Sequence, residues 1–239
     1  MNIFEELDFQ NTPLGEISLR KRSEPRLDNT LIYEVKMNEE FLMSSLFVEA
    51  ELQLAHLGLA GLEEDNLDVI VGGLGLGYTA FAALENQNVS SLKVIDVMAP
   101  VIDWHKKSLV PMGPELMADN RCELVLGDFF ALATSNSNGF GEANNDQKVH
   151  AVLLDIDHTP DFWLSPGNNS FYTEEGLRAM ADKIHAGGVF ALWSDDLPDK
   201  RFTELLDSVF TESTAHVVTF PNPYTNAESS NSVYVARKK

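Results

Sequence analysis

From residue 67 onward, short apolar runs alternate with stretches in which apolar residues recur every three or four positions. The runs near 68–72, 92–96, 122–126, 150–155, 188–193, 215–220 and 232–237 predict strands, because short contiguous apolar segments suit strands buried on both faces. The stretches near 77–86, 98–109, 171–185 and 198–210 predict helices. Such alternation predicts a mostly parallel sheet covered by helices on both sides. The last two runs are joined by Pro221-Asn222-Pro223-Tyr224-Thr225-Asn226, which has no helical spacing. They therefore predict an antiparallel hairpin at the sheet edge. Ahead of this unit, residues 14–21 and 30–36 alternate and predict two strands turning at Glu24-Pro25-Arg26-Leu27-Asp28-Asn29. Residues 40–60 place Phe41, Leu42, Leu46, Phe47, Ala50, Leu54 and Leu57 at helical spacing and predict one helix. The pattern divides the chain into a hairpin-and-helix extension, 1–61, and a sheet domain, 62–239. Residues 134–147 are rich in Ser, Asn and Gly and predict a surface loop.

Composition narrows the classes. Of 239 residues, 44% are hydrophobic, enough for a real core. Lys and Arg number 17 against 37 Asp and Glu, a net charge of −20. That balance argues against nucleic acid as a partner, whose phosphates demand cations, and suits cationic partners such as polyamines. The single cysteine, Cys122, sits in an apolar run and forms no intramolecular disulfide, consistent with a reducing, cytoplasmic setting. Glu5, Glu6 and Asp8 mark an N-terminal segment unlike a signal peptide. No apolar run approaches the ~18 residues a membrane span needs. The six histidines show no paired ligand spacing, so no metal is expected.

Chemistry concentrates at the carboxyl ends of the predicted strands, where open α/β sheets bind ligands. The first strand runs into Gly73-Leu74-Gly75-Leu76-Gly77, a turn that directs backbone amides and a helix start at a ligand. Asp96-Val97 ends the second strand, and Asp96 lies 19 residues past Gly77, where a ribose-binding acid belongs. The next strands end in Gly127-Asp128, in Asp155-Ile156-Asp157-His158-Thr159-Pro160 and in Trp193-Ser194-Asp195-Asp196. Asp128 is a nucleoside ligand or a helix cap, and Asp195 and Asp196 are open to the same alternatives. Asp155 follows a buried-looking run, and burial at the sheet rim would raise its pKa toward that of a general base. Asp157 and His158 are further acid–base candidates or turn residues. Trp163, Tyr172 and Trp193 flank these acids, as ring faces around an alkyl-ammonium site would, or as core aromatics.

Taken together, these segments resemble the spermidine synthase (polyamine aminopropyltransferase) family, more closely its bacterial spermidine synthase-like branch. The resemblance runs through Pro13-Leu14-Gly15-Glu16, a helix start at Glu39-Glu40-Phe41-Leu42-Met43-Ser44-Ser45, the glycine segment, Val101-Ile102-Asp103-Trp104-His105, Leu154-Asp155-Ile156-Asp157 and Ala186-Gly187-Gly188-Val189-Phe190-Ala191-Leu192-Trp193-Ser194. With the edge hairpin, it implies a class I S-adenosylmethionine-dependent methyltransferase-like Rossmann fold carrying a small N-terminal extension. It implies aminopropyl transfer from decarboxylated S-adenosylmethionine to a small-molecule amine, without a metal, by a homodimer. Asp96 then stands where the family binds ribose, Asp128 where it binds adenine, and Asp155 where it deprotonates the amine. The second acid of the family signature is displaced here, with a longer spacing to Pro160. Leu74-Gly75-Leu76 carries no acid, and Met43-Ser44 stands near the family's Tyr-His pair. Two alternatives accompany this reading: methyl transfer from intact S-adenosylmethionine, and a non-catalytic nucleoside-binding homologue.

Overall fold

A computed structural model describes residues 3–38, 40–141 and 147–239. The chain opens with an antiparallel sheet of four strands in sequential order, β1 (Phe4–Thr12), β2 (Gly15–Glu24), β3 (Thr30–Met37) and β4 (Glu40–Ser44). The sequence pattern predicts only two of these. In β1 the pairing shifts register between Glu6 and Asp8, a bulge that disrupts the alternation by which a strand is recognised. Residues 40–44 are a strand rather than the predicted start of a helix. Phe41-Leu42-Met43 pairs with β3 across a second irregularity, and the helix α1 begins only at Glu49 and runs to Leu59. Glu39, within the motif expected to start that helix, and residues 142–146 of the expected loop lie outside the described residues.

The main sheet has seven strands: β5 (Leu67–Gly72), β6 (Val89–Asp96), β7 (Cys122–Leu126), β8 (Val149–Leu154), β9 (Ile184–Ser194), β10 (Glu212–Asn222) and β11 (Ala227–Arg237). Their order is β10-β11-β9-β8-β5-β6-β7. Strands β5 to β9 pair in parallel, and β11 runs antiparallel to both β9 and β10. The predicted edge hairpin is present, with its last strand inside its first. Helices α2 (Tyr78–Glu85), α3 (Ala99–Lys106), α6 (Glu174–Ala181) and α7 (Lys200–Val209) fall within the predicted stretches. Two short helices, α4 (Gly113–Ala118) and α5 (Phe129–Ala133), were not predicted, being too brief to show a period.

The sheet separates two apolar layers. One packs Val69, Val71, Leu153 and Ala191 against α1, α2 and the buried residues Ile17, Leu19 and Val35 of the first sheet. The other packs Phe171, Phe190, Leu206 and Phe210 beneath α6 and α7. Gly58 lets α1 approach the sheet, since a Cβ there would meet the Leu153 side chain at 2.6 Å. Polar ties fix the N-terminal sheet at two places. The Trp104 indole of α3 donates to Asp8 at 2.6 Å, and the Tyr224 hydroxyl donates to Glu24 at 3.1 Å.

Candidate active site

A cavity of about 850 Å³ opens at the carboxyl ends of β5, β6, β8 and β9. The N-terminal sheet and the β10–β11 turn close it from the other side. Gly73, Gly75 and Gly77 line its floor, with φ of 93°, 51° and 93°. Gly73 is fixed by more than its dihedral, because a Cβ would lie 2.0 Å from the Asp155 carbonyl oxygen. The glycine loop and the β8 end are thus in direct contact. Gly77 is the N-cap of α2, and no side chain caps that helix, so its first amides remain for a ligand.

Asp96 and Val97 line the adjoining wall. The Asp96 carboxylate accepts from the Leu74 amide at 2.9 Å and the Met98 amide at 2.7 Å. Burial pushes its pKa up, and the backbone donors oppose that push. The Gly75 amide is a third backbone donor to it, and the accepting capacity left over can take a ribose hydroxyl. Asp128 also lines the cavity and caps α5 through the Ala131 amide at 3.1 Å. Gly127 does not line the cavity. Its amide bonds to the Asp96 carbonyl at 3.0 Å and continues the sheet.

The Asp155 carboxylate reaches the cavity at the end of β8 and accepts from the Thr79 hydroxyl at 2.7 Å. A second acid meets it there, Glu51 of α1, which the sequence reading missed. The same Thr79 hydroxyl lies 3.3 Å from the Glu51 carbonyl oxygen, tying the two segments together. Burial, opposed by the Thr79 bond, pushes Asp155 up to about 6. Burial and then repulsion from Asp155 push Glu51 up to about 8. Two carboxylates held this way titrate as a pair and retain a proton at neutral pH. Asp195, whose carboxylate accepts from Asn231 at 2.8 Å, adds a third acid to this end.

The structure separates the remaining expected residues. Asp157 is turned away from the cavity and is 3% exposed. Its oxygens accept from the Leu164 amide at 2.7 Å, Asn168 at 2.9 Å and the Tyr172 hydroxyl at 2.8 Å, so it braces the loop after β8. Tyr172 is thereby committed to Asp157 and does not line the cavity. Trp163 likewise stands outside, its indole donating to the Pro160 carbonyl at 2.7 Å. His158 and Trp193 do line the cavity. His158 stacks on Phe162 with centroids 5.0 Å apart, and its carbonyl accepts from the Asp195 amide at 2.8 Å.

No protein-family model matches the chain. Among solved structures, the crystal structure of spermidine synthase from Thermotoga maritima superposes with a TM-score of 0.71 at 17% identity, covering 98% of this chain and 72% of that one. This chain has the spermidine synthase fold. A spermidine synthase in complex with the transition state analogue AdoDATO matches with the same TM-score, identity and coverage. The match over 98% of this chain takes in both sheets. Among the described residues, no cluster of His, Cys, Asp or Glu could hold a metal ion, and no helix is long and apolar enough to cross a membrane.

Proposed function

We propose that the protein transfers an aminopropyl group from decarboxylated S-adenosylmethionine to an amine. The observation that carries this reading is the charge of the reacting end. Glu51, Asp155 and Asp195 gather there. Arg22 is the one Lys or Arg among the described lining residues, and it is already bonded to Glu24, Glu34 and Tyr224. Such an end favours a ligand with an ammonium alone over one that carries a carboxylate beside its ammonium.

In this reading Asp96 holds the ribose, Asp128 the adenine, and the glycine loop the sulfonium arm. The acceptor arrives as an ammonium of pKa near 10 and is not nucleophilic until it loses a proton. Asp155 takes that proton. The freed lone pair attacks the aminopropyl carbon bound to sulfur, forming C–N as C–S breaks. The C–S electron pair returns to sulfur, and methylthioadenosine leaves neutral. The sulfonium charge disperses on the way, so positioning contributes much of the rate. Methyl transfer from intact S-adenosylmethionine is the second reading, favoured by the uncapped start of α2, whose amides suit a carboxylate.

Calorimetric titration with the decarboxylated and intact ligands separates the two. The decarboxylated ligand is expected to bind at least about tenfold tighter, a difference of about 1.4 kcal/mol. Tighter binding of intact S-adenosylmethionine would replace aminopropyl transfer by methyl transfer. The same titration with methylthioadenosine tests the ribose assignment. Asp96→Ala is expected to weaken binding about tenfold or more, because hydrogen bonds to a charged group contribute about 1.5–3 kcal/mol. Unchanged affinity would remove Asp96 from that role.

A further inference from the structure

The acids of the cavity are unevenly placed. Asp96 and Asp128 lie on the nucleoside side, and Glu51, Asp155 and Asp195 gather at the reacting end. The remaining lining acid, Glu34, is 3% exposed and already neutralised. Arg20 reaches it at 2.6 Å and Arg22 at 2.9 Å, and Arg22 also holds Glu24 at 2.7 Å. Two guanidiniums thus face two carboxylates, and that patch has no spare negative charge. An ammonium arriving there would meet Arg22 and would have to break a buried ion pair, a costly exchange.

Between these regions the wall is mostly apolar, with Ser44, Asn222, Tyr224 and residues 229–231 supplying its polar, uncharged edge. Val35, Met37, Leu42 and Met43 come from the N-terminal sheet, and Phe47 and Phe220 close the opposite side with ring centroids 5.7 Å apart. Met43 covers the glycine loop, where a Cβ on Gly75 would meet its Cε at 2.3 Å. A wall of this kind gains affinity from methylenes or a ring and loses it from a second charge. We infer that the acceptor is a monoamine with an apolar body, an alkylamine or arylalkylamine, rather than a diamine or polyamine. Its single ammonium shares Glu51, Asp155 and Asp195 with the ammonium of the decarboxylated donor, and its body lies along the Met37–Phe220 wall. The neutralised Arg22–Glu34 patch acts against chains with a second ammonium.

For the reaction this inference rests on the aminopropyl-transfer reading, so the test separates binding from turnover. Hexylamine, 2-phenylethylamine, 1,4-diaminobutane and 1,5-diaminopentane are titrated calorimetrically into the full chain, with and without methylthioadenosine. Release of methylthioadenosine from decarboxylated S-adenosylmethionine is then followed with each amine. The monoamines are expected to bind at least about tenfold tighter than the diamines and to give at least about tenfold higher kcat/KM. Tighter monoamine binding without turnover would sink the transfer reading and leave the ligand class standing. A diamine that binds as well as the monoamines overturns the inference whatever the turnover, and so does the failure of every amine to bind.

Discussion

Asp155→Asn is expected to lower turnover by about 10²–10⁴-fold, the range a positioned general base contributes, while leaving methylthioadenosine affinity unchanged. Asparagine keeps the shape of the side chain, and its oxygen can still accept from the Thr79 hydroxyl that now sits 2.7 Å from Asp155. It cannot take a proton from an ammonium. With Asp155 pushed up to about 6, activity of the unaltered protein should rise with pH through that region as the base form populates. The rising limb should vanish in the asparagine protein. Product release assayed from pH 5 to pH 9, beside the titration, reads both effects. A variant that turns over normally would remove Asp155 as the base, and a loss of nucleoside binding would mark it as a ligand group instead.

Glu51→Gln is expected to make the free protein more stable and the enzyme less effective. Glu51 has its pKa raised in the fold to about 8. A carboxyl raised above its unfolded value costs nothing below about pH 4, where both states hold the proton. As pH rises the unfolded chain ionises first, and the penalty grows until the folded group ionises as well. Discounted for the partial exposure of Glu51, the cost at pH 8 is about 2 kcal/mol, which removal should return as a gain of about 4–8 °C in Tm. At pH 4 the gain should disappear. The paired titration should collapse to the single Asp155 step near 6, leaving the activity limb where it is. Equal Tm changes at pH 4 and pH 8 would show that Glu51 carries no trapped proton. Stability given up at a reacting centre in this way is a common trade.

Much of the larger sheet is legible in the sequence because buried parallel strands are near-continuous apolar runs. Val69 to Val71 and Val152 to Leu154 are examples, each 2% exposed or less. The N-terminal sheet is harder to read because it is half-exposed and irregular. Leu7 falls at the bulge in β1, and Phe41 and Leu42 imitate a helical face with Leu46 and Phe47. Acids at strand ends could be located, but their direction could not. Asp155 and Asp157 are two residues apart, yet one meets Thr79 in the cavity and the other is consumed by Asn168 and Tyr172. Glu51 falls mid-helix in the predicted 40–60 segment, where no motif marks it as a site residue. A signal existed, because it lies three and four positions before the buried Leu54 and Ala55, an acid on the apolar stripe of α1. Proximity in sequence to the acidic turn predicts Trp163 and Tyr172 beside it. The loop after β8 folds back on itself and carries them away.

The position of β11 between β9 and β10 has a consequence for a chain emerging from a ribosome. By the time β9 has been synthesised, β8 is available on one side, but the other side waits for residues beyond 227. Until then a strand with Val189, Phe190, Ala191 and Leu192 almost wholly buried in the finished fold presents an open edge. Such an edge invites pairing with other nascent chains. The two strands that finish the sheet also bring Phe220 and Tyr224 to the cavity, so a chain that has not yet sealed this edge has no complete cavity. Solubility during synthesis and competence for binding are therefore acquired in the same late step.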